Sequence, residues 1–383
     1  MRPFVYLDHN ATTPPAEPVV DAMSAALRDG WANPSSLHQA GRQARRLVDD
    51  AREAIARLAA QSPRDVVFTS GGTEANNLAL ARPFAGRPGG LLVTSRLEHP
   101  SVLAYADVLA ASGVRVRWVQ PSPGGHLAVA AFAEALAERV AGEPVLVATH
   151  AVHHETGAIQ PIAALVVLVA RAGAELHVDA VQAAGRVAPE AWRGAHTTAL
   201  ASHKLRGPKG IGALVSRPGV LVRPILRGGS QERGLRPGTL DPVAAAGFGA
   251  AARRALDAGP ARYEALRSLR DTLEQGLLTL GAEAGVVVTV TASEPRAPHV
   301  SHVLIDGWSG DELVAALDLE GVCASSGSAC AAGTAEPSPA ITALVGPDRA
   351  RTALRLSLGE PSTESDVDLA LAAFRRVWMR GAR

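Results

Sequence analysis

Residues 199–216 read ALASHKLRGPKGIGALVS and contain the only two lysines in a chain of 383 residues, Lys204 and Lys209. Every other one of the 38 basic side chains is an arginine. The two residue types are interchangeable as solvated charges, but only lysine can lose its proton near neutral pH and attack a carbonyl as a free amine. The segment therefore contains a candidate Schiff-base lysine. The alternative is a compositional bias that left two lysines by chance.

Short β-branched runs alternate with longer amphipathic segments on both sides of this stretch. Five such runs lie between residues 65 and 202: DVVFTS, GLLVTS, VLVATH, ELHVDA and TALAS. Each is followed, after a turn, by a helix-like sequence. This alternation predicts an α/β fold with a mostly parallel sheet flanked by helices on both faces. Functional residues are then expected at the carboxyl ends of the strands.

The pattern changes after about residue 255, where a long helix is followed by short strands, a further helix and a final helix from Thr363. This pattern is typical of an α+β unit. We therefore predict a large domain of residues 13–255 and a smaller α+β C-terminal domain of residues 256–383, which also takes in residues 1–12.

The composition excludes several classes of partner. The formal net charge is +1, with 38 basic and 37 acidic residues, and no basic cluster is interleaved with aromatic residues, so neither nucleic acid nor an anionic membrane is expected as a partner. The N-terminus lacks an apolar signal core, and the apolar run at 162–170 is too short to cross a bilayer. Two cysteines, Cys323 and Cys330, form no disulfide framework. These features predict a cytoplasmic protein with free thiols.

Two strand ends carry residues suited to a phosphorylated cofactor. In VVFTSGGTEANNLAL (66–80), Gly71 and Gly72 precede Thr73 at a predicted helix start, where unpaired N–H groups form an anion cradle, although a simple tight turn is the alternative. Asp179 ends the apolar run ELHVDA and would suit a protonated heteroaromatic nitrogen, although a helix N-cap is the alternative. The 25 residues from Asp179 to Lys204 predict one helix between two neighbouring strands. Together these features match the needs of pyridoxal phosphate.

A series of motifs runs in order along the whole chain: YLDHNATTP, NPSSLHQAGRQA, VVFTSGGTEANNLA, EHPSV, HHETGAIQP, HVDAVQAAG, SHKLRGPKGIGAL, GGSQERGLRPGT, SSGSACAAG and LRLSLG. In these motifs the chain resembles the cysteine desulfurases, the NifS/IscS-like enzymes of the fold-type I pyridoxal-phosphate superfamily. That superfamily branch also holds the selenocysteine lyases and the class V aminotransferases. The resemblance implies the fold-type I architecture, pyridoxal 5'-phosphate as cofactor, and a homodimer.

The resemblance also implies roles for individual residues. Lys204 is implied as the lysine that binds the cofactor covalently, Asp179 as the partner of its pyridine nitrogen, and Gln182 as the partner of its phenolic oxygen. His99 would lie against the pyridine ring and handle protons, with a core histidine as the alternative. The residues implied as phosphate ligands are Gly72, Thr73 and His203, together with Thr239 for the phosphate of the other subunit. Lys209 is implied as a structural or electrostatic support, with a solvated charge as the alternative.

The remaining implied roles concern the substrate. Arg355 and Asn33 resemble the pair that holds the carboxylate of L-cysteine, a task that suits the planar fork of arginine. Cys330 lies among small residues, which indicates an exposed loop, and resembles the nucleophile that takes sulfur from the substrate as a persulfide. The loop resembles that of the long-loop group, whose sulfur acceptor is an iron–sulfur scaffold protein. Cys323 is interpreted as structural.

Two positions depart from the family pattern. His154 replaces an asparagine that donates to the phenolic oxygen, and we expect it to keep one hydrogen bond but to titrate near neutral pH. Ala201 replaces an expected serine, so that Ser202, one position later, binds the phosphate only if the turn begins early.

The departures leave alternatives open. A selenocysteine lyase or a class V aminotransferase would use the same cofactor without needing a thiol on a loop. A degenerate paralogue with a binding or regulatory role would not hold the cofactor at all.

Overall fold

The structure is a computed structural model that describes residues 4–327 and 336–381. In these residues the strands are β1 (Val5–Tyr6), β2 (Val66–Thr69), β3 (Leu91–Ser95), β4 (Arg115–Val119), β5 (Val145–His150), β6 (Glu175–Asp179), β7 (Thr197–Ala201), β8 (Gly212–Ser216), β9 (Val288–Val290), β10 (Val300–Ile305), β11 (Val322–Cys323) and β12 (Ala353–Ser357). The helices are α1 (Glu17–Asp29), α2 (Gln39–Ala59), α3 (Gly72–Phe84), α4 (Pro100–Ala111), α5 (Val129–Ala137), α6 (Ile162–Ala172), α7 (Pro242–Glu264), α8 (Arg267–Ala284), α9 (Gly310–Leu319), α10 (Pro339–Val345), α11 (Pro347–Ala350) and α12 (Glu364–Gly381).

Seven strands form one sheet in the order β2-β8-β7-β6-β5-β3-β4. The five strands from β7 to β4 are mutually parallel, and β8 runs antiparallel to both of its neighbours. The register aligns His150 at the end of β5 with Asp179, and Asp179 with Ala199 in β7. The predicted mostly parallel α/β sheet is confirmed, and its strand ends lie side by side.

Helices cover both faces of this sheet because successive strand residues point to opposite sides. In β5, Val145 and Val147 belong to a core that includes residues of α1, α2, α5, α6 and α7. The intervening Leu146 and Ala148 belong to a second core that includes residues of α3 and α4. Both faces of the strand are therefore buried, which explains its continuous apolar sequence.

The last part of the chain builds a separate core. Strands β12, β10 and β9 form an antiparallel sheet, and β1 pairs in parallel with β11. Val5 and Leu7 pack in the same hydrophobic cluster as residues of α8, α9 and α12. Helix α7 crosses the predicted boundary at residue 255 and is kinked at Ala258, where φ is −158°. The exact domain boundaries stay a prediction.

The connection between β6 and β7 differs from the single helix predicted there. Residues 180–196 form turns and a short 3₁₀ helix, Pro189–Ala191, without an α-helix. Gly185 has a φ of 68°, and a Cβ there would lie 2.7 Å from the Cβ of Ala255, so the chain turns tightly against α7. The prediction was wrong because the number of residues between the two strands does not reveal the tight turn at Gly185.

Strands β4 and β8 were not singled out in the sequence. β4 lies at the sheet edge and alternates Arg115 and Arg117 with Val116 and Trp118, so its apolar run is short. Among the described residues, no helix is both long and apolar enough to span a lipid bilayer.

Candidate active site

A cavity of about 220 Å³ opens where the parallel strands of the large sheet end. It lies beside Asp179, the last residue of β6, and beside the segment that follows β7. Nine residues to which the sequence assigns a role in the site line it: Gly72, Thr73, His99, His154, Asp179, Gln182, His203, Lys204 and Arg355. The structure thus brings together in one cavity residues that are up to 283 positions apart in the chain.

Lys204 reaches the cavity through a single 3₁₀ turn, Ser202–Lys204, that follows β7 directly. Its Nζ donates to the backbone oxygens of Asn10 at 2.5 Å and Ala11 at 2.7 Å. The backbone oxygen of Lys204 in turn accepts two hydrogen bonds from the guanidinium of Arg186, at 3.2 and 2.8 Å. Both the backbone and the amine of this lysine are therefore fixed in position.

Asp179 is buried and accepts hydrogen bonds at both carboxylate oxygens. Its Oδ1 accepts from the backbone N–H of Val181 at 3.0 Å, and its Oδ2 accepts from Nδ2 of Asn76 at 2.8 Å. The oxygen of the Asn76 amide lies 3.0 Å from Nε2 of His177. Burial lowers the pKa of His177 to about 4, so this imidazole is neutral. The carboxylate is thus oriented by neutral partners, and its charge is available to a cation in the cavity.

The turn from β2 into α3 has the geometry of an anion cradle. Helix α3 begins at Gly72, and no side chain caps its first N–H groups. A Cβ on Gly72 would lie 2.8 Å from Cγ2 of Val181, closer than real Cβ contacts allow, whereas a Cβ on Gly71 would meet nothing within 4 Å. The close approach of the chain to Val181 therefore requires glycine at position 72.

Two further histidines of the cavity are held neutral. Burial, together with the nearby charges of Lys204 and Arg186, lowers the pKa of His203 to about 3. Burial also lowers the pKa of His154 well below its ordinary value, with His99 and Arg355 acting in the same direction. The expected titration of His154 near neutral pH is therefore corrected, because burial keeps this imidazole uncharged.

Arg355 is a buried cation at the wall of the cavity. Its Nη2 donates to Oδ1 of Asp8 at 2.7 Å, and its Nη1 donates to the backbone oxygen of His154 at 3.2 Å. Its Nε is buried without a hydrogen-bond partner among the described residues. A buried N–H without a partner is costly, so this guanidinium retains the capacity to bind a further acceptor.

Ser202 does not line the cavity. β7 ends at Ala201, which does line it, and Ser202 is the first residue of the 3₁₀ turn that follows. The Ser202 side chain is fully buried and lies against Gly207, where a Cβ would come within 2.1 Å of its hydroxyl oxygen. Ser202 is therefore not placed in the cavity, and its role as a phosphate ligand stays a prediction.

Three other predicted residues are not placed in the cavity. Asn33 is exposed and its side-chain oxygen accepts from the backbone N–H of Ser35 at 2.9 Å, so it does not meet Arg355 within this chain. Thr239 is likewise exposed. Cys330 lies outside the described residues.

Three residues that organise the cavity were missed in the sequence. Asn10 accepts from Arg186 and Lys204, and donates to the backbone oxygen of His154 at 3.1 Å. Arg186 and Asn76 are equally buried, each with 1% of its surface exposed. The sequence provided only an indirect indication of these roles, since Asn10 and Asn76 are polar residues inside the quoted motifs. Neither their spacing nor their position relative to a strand shows that their side-chain amides hydrogen-bond to residues far along the chain.

One cluster near the cavity has the composition of a metal site. Ligand atoms of His153, His154 and Glu155 lie within 4.8 Å of one another. However, Nδ1 of His153 accepts the backbone N–H of Thr156 at 3.0 Å, so in the neutral ring Nε2 carries the proton. Because a ligating nitrogen must be unprotonated, His153 does not suit a metal ion in this arrangement.

Comparisons with known proteins agree with this architecture. The family model described as aminotransferase class-V matches residues 5–370. A cysteine desulfurase from Cereibacter sphaeroides is 41% identical over 375 residues, which cover 96% of this chain and 94% of that protein. Among solved structures, a NifS-like protein has a TM-score of 0.87 at 29% identity, covering 98% of this chain and 100% of its own. A structure described as SspA in complex with cysteine has a TM-score of 0.77 at 28% identity, covering 94% and 99%. The chain therefore belongs to the aminotransferase class-V family and, within it, to the cysteine desulfurases.

Proposed function

We propose that this protein is a pyridoxal 5'-phosphate-dependent cysteine desulfurase that converts L-cysteine to L-alanine and carries the released sulfur as a persulfide on Cys330. The observation that carries the proposal is the convergence of Lys204, Asp179, the Gly72 turn and Arg355 in one cavity. Each group alone has an ordinary structural explanation. Their joint placement matches an amine, a pyridinium partner, a phosphate cradle and a carboxylate anchor.

The described residues fit the cofactor. Asp179 presents a buried carboxylate to a protonated ring nitrogen, and the uncapped start of α3 at Gly72 and Thr73, with His203 nearby, suits the phosphate. Gln182 and His154 line the wall where the phenolic oxygen would lie. When bound, pyridoxal 5'-phosphate supplies an electron sink that weakens the bonds around an attached amino acid.

Arg355 is assigned to the substrate carboxylate. The Nε of Arg355 has no described hydrogen-bond partner. Because the planar guanidinium lies beside the cavity, it can donate to a substrate carboxylate in addition to the carboxylate of Asp8. Asn33, the other residue implied for this role, is too exposed to assist within the same chain. We therefore assign Asn33 a contact across the proposed homodimer.

Cys330 is assigned as the nucleophile. The described residues that flank its segment contact the cavity wall or a residue next to it. Ser325 pairs through its backbone with Arg355, and Oγ of Ser338 donates at 2.6 Å to Glu155, which follows His154. In the reaction the Cβ–S bond of cysteine breaks as an S–S bond to Cys330 forms. L-cysteine and the thiol of Cys330 thus give L-alanine and a persulfide on Cys330, and the step requires no external oxidant or reductant.

The proposal includes a homodimer and an acceptor protein. Thr239 and Asn33 are exposed in the single chain, and Trp31 and Leu37, which flank Asn33, are 75% and 89% exposed. Large apolar side chains exposed together favour an interface. We propose that each subunit contributes Thr239 and Asn33 to the other's site, and that the persulfide sulfur passes to an acceptor such as an iron–sulfur scaffold protein in the cytoplasm.

The deciding experiment supplies the cofactor-loaded protein with L-cysteine and measures L-alanine and protein-bound persulfide. The proposal predicts both, with the persulfide on Cys330. Alanine from L-selenocysteine alone would indicate a selenocysteine lyase, and transamination without sulfur release would indicate an aminotransferase. Protein that binds no cofactor would indicate a regulatory paralogue.

A further inference from the structure

We propose that Arg186 is a positioning residue that acts through its charge: a buried guanidinium without a counter-charge favours the uncharged amine of Lys204, the form that can attack a carbonyl. Arg186 does not itself line the cavity and acts on a residue that does. The effect of its charge on Lys204 stands on the geometry alone. The use of that effect in the reaction rests on the proposed function.

Arg186 is buried and hydrogen-bonds only to uncharged oxygens. Its guanidinium donates to the backbone oxygens of His9 and Lys204 and to the side-chain oxygens of Asn10 and Gln182. Within residues 4–327 and 336–381, no ion pair involves Arg186. Its full positive charge is therefore held in the interior by neutral groups.

A buried cation of this kind is costly, because neutral hydrogen bonds replace only part of its hydration. Arg355, the buried arginine at the cavity wall, avoids this cost by pairing with Asp8. For Arg186 the described compensation is the face of the Tyr263 ring, whose centroid lies 5.4 Å from Cζ in a cation–π contact. An uncompensated charge that is kept beside a candidate active site indicates a role beyond packing.

The charges of Arg186 and Lys204 are held on the same asparagine. Nζ of Lys204 donates to the backbone oxygen of Asn10 at 2.5 Å, and Nη1 of Arg186 donates to Oδ1 of Asn10 at 2.8 Å. The two cationic groups thus lie within about 10 Å of each other, since one asparagine spans the gap. At that distance in a protein, repulsion between unit charges changes the ratio of charged to uncharged amine by about tenfold.

The imidazoles around Arg186 show the same influence. Burial and then the charge of Arg186 lower the pKa of His9 to about 4, and they lower the pKa of His299 well below its ordinary value. Burial, Lys204 and Arg186 together lower the pKa of His203, the residue before Lys204, to about 3. A positive charge that disfavours these imidazolium ions disfavours an ammonium ion for the same reason.

Other groups act on the amine in both directions. The backbone oxygens of Asn10 and Ala11 accept from Nζ and favour the ammonium form, as does the carboxylate of Asp179, whereas Arg355 opposes it. The remaining titratable side chains that line the cavity are His99, His150, His154 and His203. All of these groups stay in place when Arg186 is substituted, so the effect of its charge is measured as a difference between variant and wild type.

The first test uses the only two lysines of the chain as probe and reference. The full chain, freed of cofactor, is treated with acetic anhydride at a series of pH values, and peptide mass spectrometry gives the rate of acetylation of Lys204 relative to the exposed Lys209. Only the uncharged amine reacts. In Arg186→Gln we expect this relative rate to fall about tenfold at pH 7 and to approach the wild-type value at high pH.

The pH series separates a change of charge from a change of structure. A fall of the same size at every pH would overturn the proposal, because it would show that the amine had become less accessible. An unchanged relative rate at pH 7 would overturn it as well. Arg193→Gln is the matched control: Arg193 lies on the same connection between β6 and β7 and also donates to a backbone oxygen, that of Leu58. It should match wild type, and a fall equal to that of Arg186→Gln would contradict a specific role.

A second variant tests the missing counter-charge with Arg186 in place. Asn10→Asp puts a carboxylate oxygen where Oδ1 accepts from Nη1 of Arg186. The relative acetylation of Lys204 at pH 7 should then fall about tenfold or more, again approaching wild type at high pH. A relative rate equal to that of wild type would overturn the proposal even if Arg186→Gln failed to fold.

The final test uses the cofactor-loaded protein and a readout other than activity, the pH midpoint of the absorbance change of the bound cofactor. Loss of a positive charge favours protonated groups in the cavity, so the midpoint in Arg186→Gln should rise by about 1 pH unit, with Arg193→Gln as in wild type. An unmoved midpoint would overturn the role of Arg186 in the loaded protein. Wild-type protein that takes up no cofactor but shows the expected acetylation difference would refute the proposed function and support the effect of Arg186 on Lys204.

Discussion

Nη2 of Arg355 lies 2.7 Å from Oδ1 of Asp8, so the cation that would bind a substrate carboxylate is already paired with a carboxylate of the same chain. Only 2% of the Arg355 side chain is exposed, against 19% for Asp8. Asp8 lowers the cost of burying this guanidinium before substrate arrives. The pair also orients the fork, because the guanidinium is planar and its second nitrogen is held by the backbone of His154.

Arg355→Lys should weaken substrate binding selectively. Lysine keeps the charge but cannot offer two parallel donors, and the loss of a charge-assisted hydrogen bond corresponds to about 10- to 100-fold in KM for L-cysteine. Steady-state alanine formation measures KM, and the cofactor absorbance should be unchanged. Arg349→Lys, at an exposed position, is the control. An unaltered KM in Arg355→Lys would remove this residue from the substrate site.

Lys204 should carry the cofactor covalently. Borohydride reduction of the loaded protein, followed by peptide mass spectrometry, should find the reduced cofactor on Lys204, because its amine lies in the cavity, whereas Lys209 is exposed. Lys204→Arg keeps the charge and should abolish the adduct. An adduct on Lys209 would show that the site is misassigned.

Gly72→Ala should weaken cofactor binding. The added Cβ would lie 2.8 Å from Cγ2 of Val181, and the β-branched valine has little freedom to move away. We expect the dissociation constant of the cofactor, measured by absorbance titration, to rise about tenfold or more, which corresponds to about 1.4 kcal/mol. Gly71→Ala is the matched control, since its Cβ would meet nothing within 4 Å. Equal effects at the two positions would contradict the cradle.

Much of the fold can be predicted from local sequence patterns, but the candidate active site can be predicted only in part. The apolar strand ELHVDA and the position of Asp179 at its end are readable from sequence because strand periodicity is local. The amide of Asn76 is not, because its partners Asp179 and His177 are about 100 residues away. The surroundings of Ser202 were not predictable for a related reason: the motif places the residue at the turn, but only the local backbone geometry brings its hydroxyl against Gly207.

Stability should fall in acid through the buried histidines. Burial lowers the pKa of His302 to about 4, and an unfolded histidine has a pKa of about 6.5, so between these values the unfolded state binds the extra proton and stability is lost as the pH falls. Urea unfolding of His302→Gln should show a pH dependence that is shallower by about 1 kcal/mol per pH unit in this window. Thr291→Val removes the partner of His302 but keeps the imidazole, so its slope should match wild type. A slope in His302→Gln equal to that of wild type would refute this assignment.

We expect Cys330 to transfer sulfur and to take no part in binding the cofactor or the substrate. In Cys330→Ala the contacts through Lys204, Asp179 and Arg355 do not involve the thiol, so the cofactor spectrum and melting temperature should stay close to wild type. Removal of a nucleophile typically costs several orders of magnitude in rate. The decisive measurement is alanine and persulfide formed from L-cysteine by this variant. We expect both to be absent, and alanine release at the wild-type rate would rule out Cys330 as the nucleophile.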